Sequence, residues 1–226
     1  MNIKHKKPTL TKKQRHKLRV QQVRRQKIFL TCLFLLIVGC ILLRFSKFSG
    51  RQEEAHQINA ACEAYRDEVS SEAAQYDMSD YVDLILAVMM QESSGQGTDP
   101  MQSSEGAYNT RYPQQPNGIT DPSYSISCGI QELKYALEKA VCTGPTDLAK
   151  IRLALQAYNF GADSYFAYLE ENGQTVWTAQ SAQAFAQMAS GGTQRDEDDP
   201  LHDPAGPWDY GDQYYPDHVL RSEERR

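Results

Sequence analysis

The feature that most constrains this chain is an uncharged apolar run, Ile28–Leu43, which follows a strongly basic N-terminal stretch. The run is rich in Leu, Ile, Val and Phe, and a helix rising about 1.5 Å per residue over this length nearly spans a bilayer core of roughly 30 Å. Basic side chains on both flanks, at Lys27 and Arg44, can extend to the lipid headgroups. The pattern predicts a transmembrane anchor over residues 28–46, because a soluble helix of this length normally carries a polar stripe.

Two processed forms of this segment are alternatives to an uncleaved anchor. A cleaved signal peptide needs small residues at the cleavage site, where this chain has Arg44, Lys47 and Phe48. The sequence ending at Cys40 (Ile-Val-Gly-Cys) resembles a lipoprotein processing site, but Ile41 and the residues after it continue the apolar run. We therefore expect an uncleaved anchor.

Charge divides the chain into two parts. Residues 1–51 contain 14 Lys and Arg and no acidic residue, whereas residues 52–226 contain the other 10 with all 29 Asp and Glu. Basic residues concentrate before the apolar run, so the positive-inside rule predicts a cytoplasmic N-terminus and an external acidic part. The predicted organisation is a basic cytoplasmic arm (1–27), the anchor (28–46), a stalk with the first helix (47–76) and a catalytic domain (77–226).

The basic arm also has a composition that can bind nucleic acid. Beside an apolar anchor, a topology signal that contacts anionic lipids is the better interpretation, so we expect no nucleic-acid partner.

Three cysteines, Cys62, Cys128 and Cys142, fall in the external part. In an oxidising exterior Cys128 and Cys142 can pair, although an odd number of cysteines leaves the pairing open. No Cys or His grouping has metal-ligand spacing, and we expect neither a metal nor a cofactor.

Apolar periodicity in the external part favours helices almost throughout, and no strand alternation is convincing. About 170 residues suffice for one domain core. We therefore predict an all-α domain with loops over 97–124 and 191–213, where Gly, Pro and small polar residues concentrate. The helices are predicted over Glu53 to Tyr76, from Ser79 to Gly95, and over about 127–142, 147–158, 163–172 and 179–190.

Glu92 distinguishes this chain from an ordinary helical bundle. It follows Ile85 by seven positions and Val88 by four, which places it on the apolar stripe of its helix. A carboxyl group there is partly desolvated, which raises its pKa and suits it to donate a proton near neutral pH. The alternative interpretation is a polar residue at a fraying helix end.

Three blocks occur in the order and approximate spacing of a known enzyme superfamily: MMQESSGQGTDPMQSSEG from Met89, SISCGIQEL from Ser125 and ALQAYNFG from Ala154. They resemble the Glu-Ser, Gly-Leu-Met-Gln and Ala-Tyr-Asn-x-Gly boxes of soluble lytic transglycosylases and goose-type lysozymes. Together with YGDQYYPDHVL near the end, they resemble most closely the lysozyme-like muramidase domain of cell-wall hydrolases from Gram-positive conjugative transposons. The resemblance covers about Ala55 to Arg221.

The resemblance implies a lysozyme-like helical fold and cleavage of the β-1,4 bond between N-acetylmuramic acid and N-acetylglucosamine in peptidoglycan. Glu92 matches the family's general acid. Asp99 matches an aspartate of the muramidase subgroup and is expected to orient water, act as base or stabilise the oxocarbenium ion. Because lytic transglycosylases use an internal hydroxyl of the substrate instead, Asp99 favours hydrolysis. The alternative is that Asp-Pro only begins a turn.

The resemblance also implies substrate-binding roles, each with packing or turn chemistry as the alternative. The residues concerned are Ser103, Ser104, Gln131, Tyr158 and Asn159. The second box departs from the family pattern, because Cys128-Gly129-Ile130 precedes Gln131. Tyr214 and Tyr215 are interpreted as packing residues.

Three functions are compatible with these observations. The first is a membrane-anchored muramidase of Gram-positive bacteria that acts on peptidoglycan glycan strands and opens the wall for a conjugative secretion machinery. The second is a lytic transglycosylase that gives 1,6-anhydro products. The third is a catalytically silent peptidoglycan-binding scaffold.

Overall fold

A computed structural model of the protein describes residues 58–199 and 202–223, which lie within the compact unit His56–Arg226. The predicted anchor and the basic arm lie outside the described residues, among which no helix is both long and apolar enough to cross a membrane. The described helices are α1 (Ala60–Glu63), α2 (Arg66–Gln75), a 3-10 helix (Ser79–Tyr81), α3 (Val82–Ser93), α4 (Pro122–Lys139), α5 (Leu148–Phe160), α6 (Ala162–Glu171), α7 (Ala179–Ala189) and α8 (Tyr215–Glu223).

The domain is mostly helical, in agreement with the predicted class. Strand pairing within the described ranges is limited to one isolated bridge, between Gln194 and Trp208. The three described cysteines, Cys62, Cys128 and Cys142, are all free, so the pairing of Cys128 with Cys142 considered from the sequence is not formed.

Helix α3 lies at the centre of the domain. Its six consecutive residues from Leu84 to Met89 are buried, so apolar contacts surround the helix on all sides. The C-cap of the helix is Ser94, which adopts a left-handed conformation (φ 56°) while its N–H donates to Met90 O. Glu92 therefore lies in the last turn of a buried helix, as the sequence predicted.

Residues from Ile58 onward belong to the folded domain. Cys62, Val69 and Ala73 are fully buried in the core, and α2 packs against both α3 and α4. The polar stalk predicted over Glu53 to Tyr76 is thus, where it is described, two short helices that cover α3.

Helix α4 begins five residues before its predicted start. The Asp121 carboxylate caps it by accepting from the N–H groups of Ser123 and Tyr124, and Pro122 occupies the first turn. Further along, a Cβ on Gly129 would lie 2.6 Å from Met101 Cβ, so glycine permits the 98–106 loop to rest directly on the helix.

Helix α8 was not predicted from the sequence. It packs against α3 and α5, with Val219 and Leu220 buried, and it begins at Tyr215, which is 1% exposed. This packing brings the C-terminal part of the domain against the end of α3 that carries Glu92.

Candidate active site

The carboxyl group of Glu92 meets a tyrosine from the other end of the domain. Tyr215 Oη donates to Glu92 Oε1 at 2.5 Å. The pKa of Glu92 is raised to about 7: burial is the main cause, the hydrogen bond from Tyr215 opposes it, and the negative charges of Asp212 and Asp99 contribute smaller upward shifts. A substantial fraction of this carboxyl group therefore keeps its proton at neutral pH, which is what a general acid needs.

Tyr158 occupies the same site from helix α5. Its ring stacks on the ring of Tyr215 with centroids 6.3 Å apart, and its Oη donates to Met101 O at 2.9 Å. Burial and then the charge of Glu92 raise the pKa of Tyr158 well above its usual value, so the phenol stays neutral. The predicted site residue Tyr158 thus lies beside Glu92 and ties α5 to the 98–106 loop.

Asp99 lies in a buried hydrogen-bond network and is 2% exposed. Its Oδ1 accepts from Ser103 N at 3.0 Å and from Ser125 Oγ at 2.6 Å. Its Oδ2 accepts from Ser104 N at 3.2 Å and from Ser104 Oγ at 2.5 Å. The carboxylate holds the loop to α4, and each of its oxygens already has two donors.

Ser103 and Ser104 take part in this network and are each 1% exposed. Ser103 Oγ donates to Ser125 O at 3.2 Å, and Ser104 Oγ also accepts from Ile119 N at 2.8 Å. Both hydroxyl groups are thus engaged within the protein, and their contacts stabilise the loop.

Gln131 and Asn159, the other predicted binding residues, contact different surroundings. Gln131 Nε2 donates to Ser127 O in its own helix at 3.1 Å, and the side chain lines a depression shared with Tyr76 and Tyr108. Asn159 Oδ1 accepts from Asp212 N at 2.7 Å, so it positions the loop that precedes α8.

Three residues near Glu92 were missed as site residues by sequence reasoning: Tyr215, Asp212 and Glu132. The pKa of Glu132 is raised to about 7: burial is the main cause, a backbone hydrogen bond from Tyr108 opposes it, and the charges of Asp99 and Glu92 contribute to the rise. Its Oε1 is buried without a hydrogen-bond partner. The block YGDQYYPDHVL was the available signal for Asp212 and Tyr215, but nothing local in it indicates contact with Glu92.

The arrangement is suited to acid–base chemistry by carboxyl groups. No group of three or more His, Cys, Asp or Glu within the described ranges is placed to hold a metal ion. The site instead combines a carboxyl group of raised pKa on a buried helix, two neutral phenols and further carboxylates from two loops.

Comparison with known proteins agrees with this architecture. Residues 60–222 match the family model described as Lysozyme-like. Because this match covers well over half of the chain, the protein belongs to the lysozyme-like family.

Individual relatives are consistent with that assignment. The chain is 35% identical over 172 residues to the bifunctional muramidase/DL-endopeptidase CwlT of Bacillus subtilis (strain 168), covering 76% of this chain and 42% of that protein. It is 32% identical over 143 residues to pneumococcal vaccine antigen A of Streptococcus pneumoniae serotype 4, covering 63% of this chain and 65% of that protein. The chain thus spans less than half the length of CwlT.

A solved structure has a similar fold. It is a protein described as similar to a lipoprotein of the NLP/P60 family, from Staphylococcus aureus subsp. aureus Mu50. The TM-score is 0.61 at 28% identity, covering 74% of this chain and 54% of that chain.

Proposed function

We propose that this protein is a membrane-anchored peptidoglycan hydrolase, an N-acetylmuramidase that opens the cell wall locally for conjugative transfer. The observation that carries the proposal is Glu92, a carboxyl with a pKa raised to about 7 at the end of a buried helix in a lysozyme-like domain. The similarity to CwlT, which is described as a muramidase and DL-endopeptidase, supports the muramidase activity. The role in conjugation rests on the resemblance of the sequence blocks.

The geometry of Glu92 defines its part in the reaction. Since Tyr215 donates to Oε1, the transferable proton of Glu92 lies on Oε2. Glu92 gives this proton to the leaving O4 of N-acetylglucosamine as C1 of N-acetylmuramic acid gains oxocarbenium character. The hydrogen bond from Tyr215 then stabilises the carboxylate that remains.

Substrate binding is expected to depend on local contacts, because the acidic external part gains no long-range attraction to an anionic wall. A depression of about 560 Å³ offers tyrosine rings beside polar groups, including Tyr108, Tyr124 and Gln131. Rings of this kind stack on sugars, and an anchor that holds the domain beside the wall offsets weak affinity.

The products distinguish hydrolysis from transglycosylation. Full-length protein in detergent should release fragments with reducible muramic-acid ends from purified peptidoglycan, because water rather than an internal hydroxyl completes the reaction. Borohydride reduction and mass spectrometry measure this, since hydrolytic products are heavier by one water than anhydro products before reduction. Predominantly 1,6-anhydro products would replace the muramidase proposal with a lytic transglycosylase, and binding without release of sugar would replace it with a silent scaffold.

Localisation is proposed from the N-terminal sequence alone, with the arm in the cytoplasm and the domain outside the membrane. In cells carrying a different tag at each terminus, protease added to intact protoplasts should remove the C-terminal tag and spare the N-terminal tag. The positive-inside rule is the physical reason. Protection of the C-terminal tag would contradict the topology, because the proposed substrate lies outside.

A further inference from the structure

Hydrolysis needs a group that accepts a proton from the attacking water. The hydrogen-bond network around Asp99 leaves this carboxylate little capacity to do so. A carboxylate has about four acceptor sites on its two oxygens. In Asp99 these sites meet four donors: Ser103 N, Ser104 N, Ser104 Oγ and Ser125 Oγ. No acceptor site remains for a water molecule, and the residue is buried.

Asp212 has a different environment. Its Oδ1 accepts from Tyr214 N at 2.8 Å, and its Oδ2 lies 2.5 Å from His218 Nδ1. Its side chain is 26% exposed. Two of the roughly four acceptor sites of this carboxylate thus remain for a water molecule.

The backbone of Asp212 is fixed by helix α5. Its N–H donates to Asn159 Oδ1 at 2.7 Å, and its C=O accepts from Gln156 Nε2 at 2.8 Å. A Cβ on the preceding residue, Gly211, would lie 2.6 Å from Asn159 Oδ1, so only glycine allows this approach. The loop therefore holds Asp212 rigidly, as a positioned reactive group requires.

Asp212 is also linked to Glu92 through Tyr215. Tyr215, which donates to Glu92, lies three residues after Asp212, and Tyr215 N donates to Asp212 O. Gln91, the neighbour of Glu92, lines a depression of about 310 Å³ together with Asp212 and His218. The negative charge of Asp212 acts on Glu92 more strongly than that of Asp99.

We propose that Asp212 is the second catalytic carboxylate, the base that activates water, and that Asp99 is a structural anchor of the loop. This inference rests on the proposed hydrolysis. The water oxygen bonds to C1 as the C1–O4 bond breaks, the proton of Glu92 goes to O4 and a proton of water goes to Asp212. Exchange with solvent returns Glu92 to its acid form and Asp212 to its carboxylate. His218 holds the Asp212 carboxylate in place.

The test compares Asp212→Asn with Asp209→Asn in the full-length protein, using soluble peptidoglycan fragments. Asparagine keeps the acceptor for Tyr214 N, so the thermal midpoint should stay near that of wild type. We expect kcat to fall about 100-fold or more, the usual loss when general base catalysis is removed, with KM nearly unchanged. Asp209 lies in the same loop, pairs with Arg195 and is largely exposed, so its variant should keep wild-type kcat.

Azide provides a readout that a structural role would not change. Azide attacks C1 without losing a proton, so it should restore turnover of Asp212→Ala and give a glycosyl azide detectable by mass spectrometry. Wild-type kcat in Asp212→Asn would overturn the inference. So would a fall in kcat accompanied by a lower thermal midpoint and no azide product. If wild type itself releases no hydrolytic product, the proposed function fails, which the wild-type assay shows separately.

Discussion

Glu92→Gln is expected to abolish release of sugar from peptidoglycan, with a loss of about 1,000-fold or more in rate. Glutamine keeps the size of the side chain, and its carbonyl oxygen still accepts the hydrogen bond from Tyr215. It has no proton that it can transfer to the leaving oxygen. Reducing ends released per unit time from purified peptidoglycan measure the effect.

The matched control for this variant is Glu138→Gln. Glu138 lies on the exposed side of α4, where it pairs with Lys134, and its substitution should leave the rate unchanged. Undiminished activity of Glu92→Gln would remove Glu92 from the mechanism.

The rate of the wild-type protein should also fall as pH rises above about 7, because Glu92 then loses the proton that it donates.

Stability provides an independent check that Glu92→Gln is folded. The pKa of Glu92 is raised from 4.5 to about 7 in the folded protein, so the folded state holds this proton more tightly than the unfolded state. The free energy of unfolding of the wild-type protein therefore falls as pH rises from about 4.5 through 7. Glutamine carries no charge at any pH. The variant should therefore gain about 1–3 kcal/mol over wild type at pH 8 and far less near pH 4, as measured by denaturant unfolding.

The sequence predicts the central helix and Glu92 because their signals are local. Six buried residues in succession follow from the apolar run Leu84–Met89, and a turn signal follows Glu92 at once. The start of α4 was recoverable too, since Asp121 and Pro122 are an N-cap and a first-turn residue that were interpreted as part of a loop.

Contacts between distant segments could not be predicted in this way. Tyr215 lies 123 residues from Glu92, and Ser125 lies 26 residues from Asp99. Helix α8 is short and polar on average, so no apolar run marks it in the sequence, although its few apolar residues, among them Val219 and Leu220, lie on one buried face. Its place in the site depends on its packing against α3 and α5, which no local pattern specifies.

Asp99→Asn is expected to destabilise the domain strongly. The new amide group can accept only through one oxygen, and its NH₂ would face the donors that now meet Oδ2, Ser104 N and Ser104 Oγ. Each buried donor left without a partner costs about 1–3 kcal/mol. A total of about 3–5 kcal/mol corresponds to a thermal midpoint roughly 10 °C lower, measured by calorimetry or circular dichroism.

Asp121→Asn is the control for that substitution, because Asp121 caps α4 from a half-buried position and asparagine caps a helix equally well. Its thermal midpoint should change little.

The decisive comparison is between the kcat and the thermal midpoint of Asp99→Asn. If Asp99 anchors the loop, the main effect of Asp99→Asn is a lower thermal midpoint. Any fall in kcat measured at temperatures below that midpoint then reflects displacement of the loop. If instead the thermal midpoint of Asp99→Asn matches wild type while kcat falls about 100-fold or more, Asp99 reacts with substrate or water directly, as its place in the sequence blocks predicted. The buried serine network would then serve to orient a catalytic base, and Asp212 would act on Glu92 through its charge alone.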